Sequence, residues 1–207
     1  MKQTFLFTCM LFVMYTQAQV KLENIVKPGT KLIYAVEAGD KKYNFIVTVN
    51  NLNGASFNWE MSDPVNLSGN ITQTAKALDN ADVMYNFFQP GDKKLDDKTL
   101  SVWLSKKCFN QFDKQAGKPV KMYLNGPDQD PENVGTYTGD LPLEVTIDGK
   151  TDTIYEELVK PLTLSGQDYV PSEESDDFFT FYGSAAFPII LRMNLGFSIA
   201  LKEIRTK

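Results

Sequence analysis

The chain has 207 residues, 43% apolar, 12% aromatic and 23% charged, with a formal net charge of −5 and an isoelectric point near 4.9. Such a length suits one domain, the apolar content is too high for a disordered chain, and the acidic balance argues against a nucleic-acid partner. The sequence contains no histidine, which removes Ser-His-Asp and Cys-His nucleophile systems and the zinc or haem sites built on imidazole.

Residues 1–18 read as a secretory signal peptide. Lys2 supplies the positive start, and Phe5 to Tyr15 is apolar apart from Thr8 and Cys9. Thr16-Gln17-Ala18 then sets small residues for cleavage after Ala18. The apolar run is shorter than the ~20 residues of a membrane span. The expectation is an exported protein, periplasmic or secreted, with one β-rich domain over residues 19–207 and no transmembrane segment in the mature chain. Cys9 leaves with the signal, so Cys108 is the one remaining thiol and no intramolecular disulfide forms.

Alternation with period two dominates the mature chain. Leu32, Tyr34 and Val36 share one face, then Gly39-Asp40 suits a type II′ turn. Tyr43, Phe45, Val47 and Val49 alternate next, Asn53-Gly54 suits a type I′ turn, and Phe57, Trp59 and Met61 come after it. These three segments predict an antiparallel meander. Leu67, Gly69, Ile71 and Ala75 predict a fourth strand and Val83–Phe88 a fifth. Gln89–Asp97 reads as a polar loop, and Leu100–Leu104 as a further strand. A short helix comes next, capped by Ser105, with Cys108, Phe109 and Phe112 on its apolar face and Gly117 with Pro119 as its stop. Residues 125–139 are rich in Gly, Pro, Asp and Asn and read as the least structured region, with a soft internal boundary there. Leu143, Val145 and Ile147 lead into Asp148-Gly149, a second type I′ signature, and a strand over Thr151–Val159. Ile189, Leu191, Met193 and Leu195, then Phe197, Ile199 and Leu201 after Gly196, close the domain. The predicted fold is all-β or β-dominated: a curved antiparallel sheet or incomplete β-barrel with one short helix.

The aromatic strand face is the most informative feature. Tyr34, Tyr43, Phe45, Phe57 and Trp59 fall on one face of three consecutive strands. They read either as filled core or as the lining of a pocket for an apolar ligand. One helix is little cover for such a sheet, so the sheet must curl on itself or leave part of a face open. Asp128, Asp130 and Glu132 alternate as calcium ligands do, but Asn133 and Gly139 stand where an EF-hand needs glycine and glutamate. That loop and the run Glu173–Asp177 read as solvated, with no metal or cofactor implied. No serine lies in a nucleophile motif and no carboxylate pair stands out, so no catalytic residue is assigned. Cys108 reads as a small buried hydrophobe, against a reactive thiol tuned by Lys106 and Lys107. Two glycosylation patterns, at Asn66 and Asn70, matter in a eukaryotic pathway alone.

Pro28-Gly29-Thr30-Lys31-Leu32-Ile33-Tyr34, Tyr43-Asn44-Phe45, Phe57-Asn58-Trp59-Glu60-Met61 and the closing Pro188–Gly196 resemble a family of uncharacterised exported proteins of Bacteroidetes. These motifs are structural, and the resemblance implies no activity. In architecture alone, a chain of hairpins with little helix is similar to the half-barrels of periplasmic lipoprotein carriers. The expected function is non-enzymatic binding of an apolar or amphiphilic small molecule in the curved sheet. The alternative is an interaction or scaffold role with a protein of the cell envelope, and a histidine-free glycoside hydrolase ranks last.

Overall fold

The computed structural model describes residues 20–114 and 118–206; the segment predicted as a signal peptide with cleavage after Ala18, and Gly117 as the predicted helix stop, lie outside the described residues. In chain order the first half comprises α1 (Leu22–Ile25), β1 (Lys31–Ala38), β2 (Lys41–Asn51), β3 (Ser56–Met61), β4 (Ser68–Thr72), α2 (Ala75–Asn80), β5 (Val83–Met84), β6 (Gly91–Lys94) and β7 (Thr99–Leu100). The second half comprises α3 (Lys106–Lys114), β8 (Val120–Met122), β9 (Glu132–Ile147), β10 (Lys150–Ser165), β11 (Asp168–Pro171), β12 (Phe178–Tyr182), β13 (Ile190–Asn194) and β14 (Ser198–Arg205).

Twelve strands form one curved sheet in the order β6-β4-β3-β2-β1-β14-β13-β12-β10-β9-β8, with β11 added to β10 and β5–β7 a separate pair. The fold is β-dominated and the sheet does not close into a barrel. It is mixed rather than antiparallel. β4 pairs with β6 in parallel because the chain passes through α2 and β5 between them and returns in the same direction. The end of β9 also meets β14 in parallel, through Thr146–Glu203 and Ile147–Ile204.

The meander forms as its alternation predicts. Tyr34 lies opposite Phe45, Val36 opposite Tyr43, Val47 opposite Trp59 and Val49 opposite Phe57. Gly39 takes φ 61° in a two-residue turn, and Asp148 and Gly149 take φ 47° and 84°, the two positive values a type I′ turn requires. Asn53-Gly54 departs from type I′. The positive φ falls on Ala55, at 47°, and the Ala55 N–H donates to the Leu52 carbonyl, so the pair forms the centre of a wider turn. Gly54 is needed there for a packing reason: a Cβ would lie 2.9 Å from the Gln73 carbonyl oxygen.

Other local expectations are corrected. There are three short helices among the described residues, not one. Ala75 starts α2 instead of extending the fourth strand, because the Thr74 hydroxyl accepts from the Ala77 N–H at 3.0 Å and caps a helix. Strand pairing at 83–88 shrinks to β5, and at 100–104 to β7, where Val102 turns the chain with φ 67°. The polar loop 89–97 contains edge strand β6, exposed throughout. Residues 132–139, read as unstructured, begin the 16-residue strand β9.

The sheet wraps two apolar clusters. One gathers the meander's inner face with Leu22, Tyr85, Trp103 and Leu191. The other sets α3 on the second half of the sheet, through Cys108, Phe109 and Phe112 against Phe179 and Phe181. Ser105 caps α3 as predicted, accepting from the Cys108 N–H at 3.2 Å. On β10, Glu156 falls between Ile154 of the first cluster and Val159 of the second and is wholly buried.

Candidate functional site

The five aromatics of the meander share an inner face but divide in role. Phe57 and Trp59 are 0% and 2% exposed. Phe57 packs against Trp103 with ring centroids 5.7 Å apart, and Trp59 against Phe88 at 5.2 Å. These two are filled core. Tyr34, Tyr43 and Phe45 instead line an apolar cleft that opens at the surface.

Three segments build this cleft. β1, β2 and β3 supply Tyr34, Val36, Tyr43, Phe45 and Met61, and the β13–β14 hairpin, next to β1 in the sheet, supplies Ile190, Met193, Phe197 and Ile199. Asn86, Phe88, Ser101 and Val102 close the top. The sequence offers one helix as cover for the meander, whereas the structure covers it with the irregular crossing between β5 and α3. Phe88, Ser101 and Val102 fall in the segments read as further strands, and nothing in the sequence marks them as pocket residues.

The lining is neutral. The Tyr34 hydroxyl donates to the Ile190 carbonyl at 3.0 Å, and burial pushes its phenol far above the usual range. Burial raises the Tyr43 phenol as well. The top is pinned from behind by Gln73, whose Oε1 accepts from the Ser101 N–H at 2.6 Å and whose Nε2 donates to the Ala55 carbonyl at 2.5 Å. Ser101 in turn donates through Oγ to the Tyr85 carbonyl at 2.8 Å. Val102, beside it, holds a left-handed conformation that is uncommon for a β-branched residue.

The cleft measures about 70 Å³, against roughly 150 Å³ for a cavity that holds benzene. It accommodates a short apolar group, not a whole lipid. Apolar contact and exclusion of water are what such a lining offers chemically, and the Tyr34 and Ser101 hydroxyls are engaged with backbone carbonyls.

The remaining sequence candidates lie elsewhere. Asp128 and Asp130 are exposed, and no group of three or more Cys, Asp or Glu side chains is placed to hold a metal ion among the described residues. No helix among them is long and apolar enough to cross a membrane. Cys108 is fully buried in the α3 cluster, and burial raises its thiol pKa. Lys106 and Lys107 are engaged by Asp79 and Asp82, at 2.7 and 2.8 Å. Thiol labelling in native buffer is therefore expected to run at least ~1000-fold slower than in denaturant, since access requires unfolding of α3. Comparable rates in the two conditions would show an accessible thiol.

Comparison with protein-family models, curated proteins and solved structures finds no match for this chain. The functional reading therefore rests on the cleft itself.

Proposed function

We propose that the chain is an exported, non-enzymatic binding protein whose cleft takes the apolar part of a small amphiphilic ligand. One observation supports this reading above the others. Tyr43, Phe88, Phe197 and Ile199 leave an apolar cleft open to the surface. The volume of the cleft as it stands sets the scale at a few carbon atoms.

The test is calorimetric titration with 1-octanol, a neutral alkyl probe. Saturable one-site binding is expected, and Ile199→Trp is expected to weaken it at least ~10-fold. Ile199 is half-buried at the mouth, so the larger ring fills the cleft without overpacking the core. Absence of saturable binding, or an unchanged affinity in the folded variant, would overturn the reading.

A further inference from the structure

We propose that Phe88 is a plug that the ligand displaces, and that the ligand is a carboxylate-bearing amphiphile whose head is held by the Trp59 indole N–H, the Tyr85 hydroxyl and the Lys93 ammonium. This rests on the binding reading above and specifies its ligand class.

The starting observation is a pair of orphaned polar atoms. Trp59 and Tyr85 are 2% and 8% exposed, yet neither Trp59 Nε1 nor Tyr85 Oη has a hydrogen-bond partner among the described residues. A buried donor without an acceptor destabilises a fold, and at position 85 phenylalanine would remove that cost without changing the shape of the ring. Both rings pack on the same side chain. Phe88 lies 5.2 Å from Trp59 and 5.6 Å from Tyr85 by ring centroids, and 4.5 Å from Phe45, which lines the cleft. Phe88 thus lines the open apolar cleft and packs on both rings that carry the unsatisfied donors.

Phe88 is suited to move. It is half-buried and lies between Phe87, 59% exposed, and an exposed Gln89-Pro90. Outside the strand ladders, no backbone hydrogen bond is made by residues 87–90 among the described residues. When its ring swings out, the cleft gains the volume of a phenyl group and reaches Trp59 and Tyr85.

The head group is set by the donors. An indole N–H and an ammonium donate without accepting, and a phenol is able to donate. Lys93 Nζ sits 4.3 Å from the centre of the Tyr85 ring and brings a positive charge beside that ring. A carboxylate accepts from all three and balances the charge, whereas an alcohol of the same chain length leaves the charge unmatched.

Octanoate and 1-octanol, titrated into the whole mature protein and its variants, separate this proposal from the reading beneath it. Octanoate is expected to bind about tenfold tighter than 1-octanol, the effect of a charge-assisted hydrogen bond. Phe88→Ala is expected to strengthen octanoate binding, because the plug no longer has to be displaced. Tyr85→Phe carries the sharpest signature: a higher Tm without ligand, together with octanoate affinity lowered about tenfold and 1-octanol affinity unchanged. Lys93→Met, at an exposed position, is expected to lower octanoate affinity without affecting folding. If neither probe binds the native protein or Phe88→Ala, the binding reading itself falls. If both probes bind equally and Tyr85→Phe and Lys93→Met change neither, the head-group assignment falls and the cleft stands. A lower Tm for Tyr85→Phe would show that the hydroxyl is partnered in the free protein and would also overturn the assignment.

Discussion

Replacing Arg192 with methionine is expected to destabilise the fold by about 3–5 kcal/mol. Glu156, Thr180 and Arg192 lie on β10, β12 and β13, three adjacent strands. Arg192 Nε donates to Glu156 Oε2 at 3.0 Å, its second nitrogen engages Oε1, and the Thr180 hydroxyl donates to Oε2 at 2.7 Å. The glutamate side chain is 0% exposed and the arginine side chain 35%. Removing the arginine therefore leaves a buried charge with one hydroxyl for company. Removing the glutamate leaves a guanidinium that reaches water. This asymmetry orders the variants: Arg192→Met costs more than Glu156→Leu, and the double variant restores much of the loss, because an apolar pair of similar volume needs no desolvated charge. Burial already lowers the Arg192 pKa, so its desolvation opposes the pairing in part. Urea unfolding at constant m-value measures all three. Equal losses for the two single variants would show that the pair is less buried than its geometry states.

Much of the first half of the fold was legible in the sequence, for a physical reason that the second half lacks. β2 and β3 bury one face, and β1 does so apart from Ile33, so most of their buried residues fall at every second position, and tight turns punctuate them. β9 and β10 are long strands whose faces are largely half-exposed, and their pairing depends on register with each other more than on burial. With Gly135, Gly139 and Pro142 inside it, β9 therefore carries the composition of a loop. Glu156 did leave a trace. It continues the inward series from Ile154, and a charged residue at an inward position calls for a partner, yet no local feature names Arg192 across two strands. The candidate site was legible by half. The aromatic face was visible, including the three residues that reach the cleft. Its cover was not, because Phe88, Ser101 and Val102 belong to an irregular crossing whose path depends on one glutamine.

That glutamine sets the second large expectation: Gln73→Met costs about 2–4 kcal/mol and weakens 1-octanol binding in the same variant. Gln73 is 4% exposed and serves two buried backbone groups at once, the Ala55 carbonyl and the Ser101 N–H. Methionine keeps the length and flexibility of the side chain, so the loss isolates the two hydrogen bonds. Each orphaned backbone group costs about 1–3 kcal/mol when water cannot replace the partner. The consequence reaches the cleft by a short route. Ser101 is followed directly by Val102, whose strained conformation, worth roughly 1–3 kcal/mol, persists because its neighbours are fixed. Gln73 holds the residue before it, and the Ile190 N–H holds the Val102 carbonyl at 2.7 Å. With the first tie gone, Val102 relaxes toward negative φ, and the top of the cleft shifts away from Phe88 and Tyr43. Thermal unfolding and 1-octanol titration on one sample separate the two effects. Lost stability with full affinity would show that the glutamine supports the core alone and that the cleft keeps its shape without it.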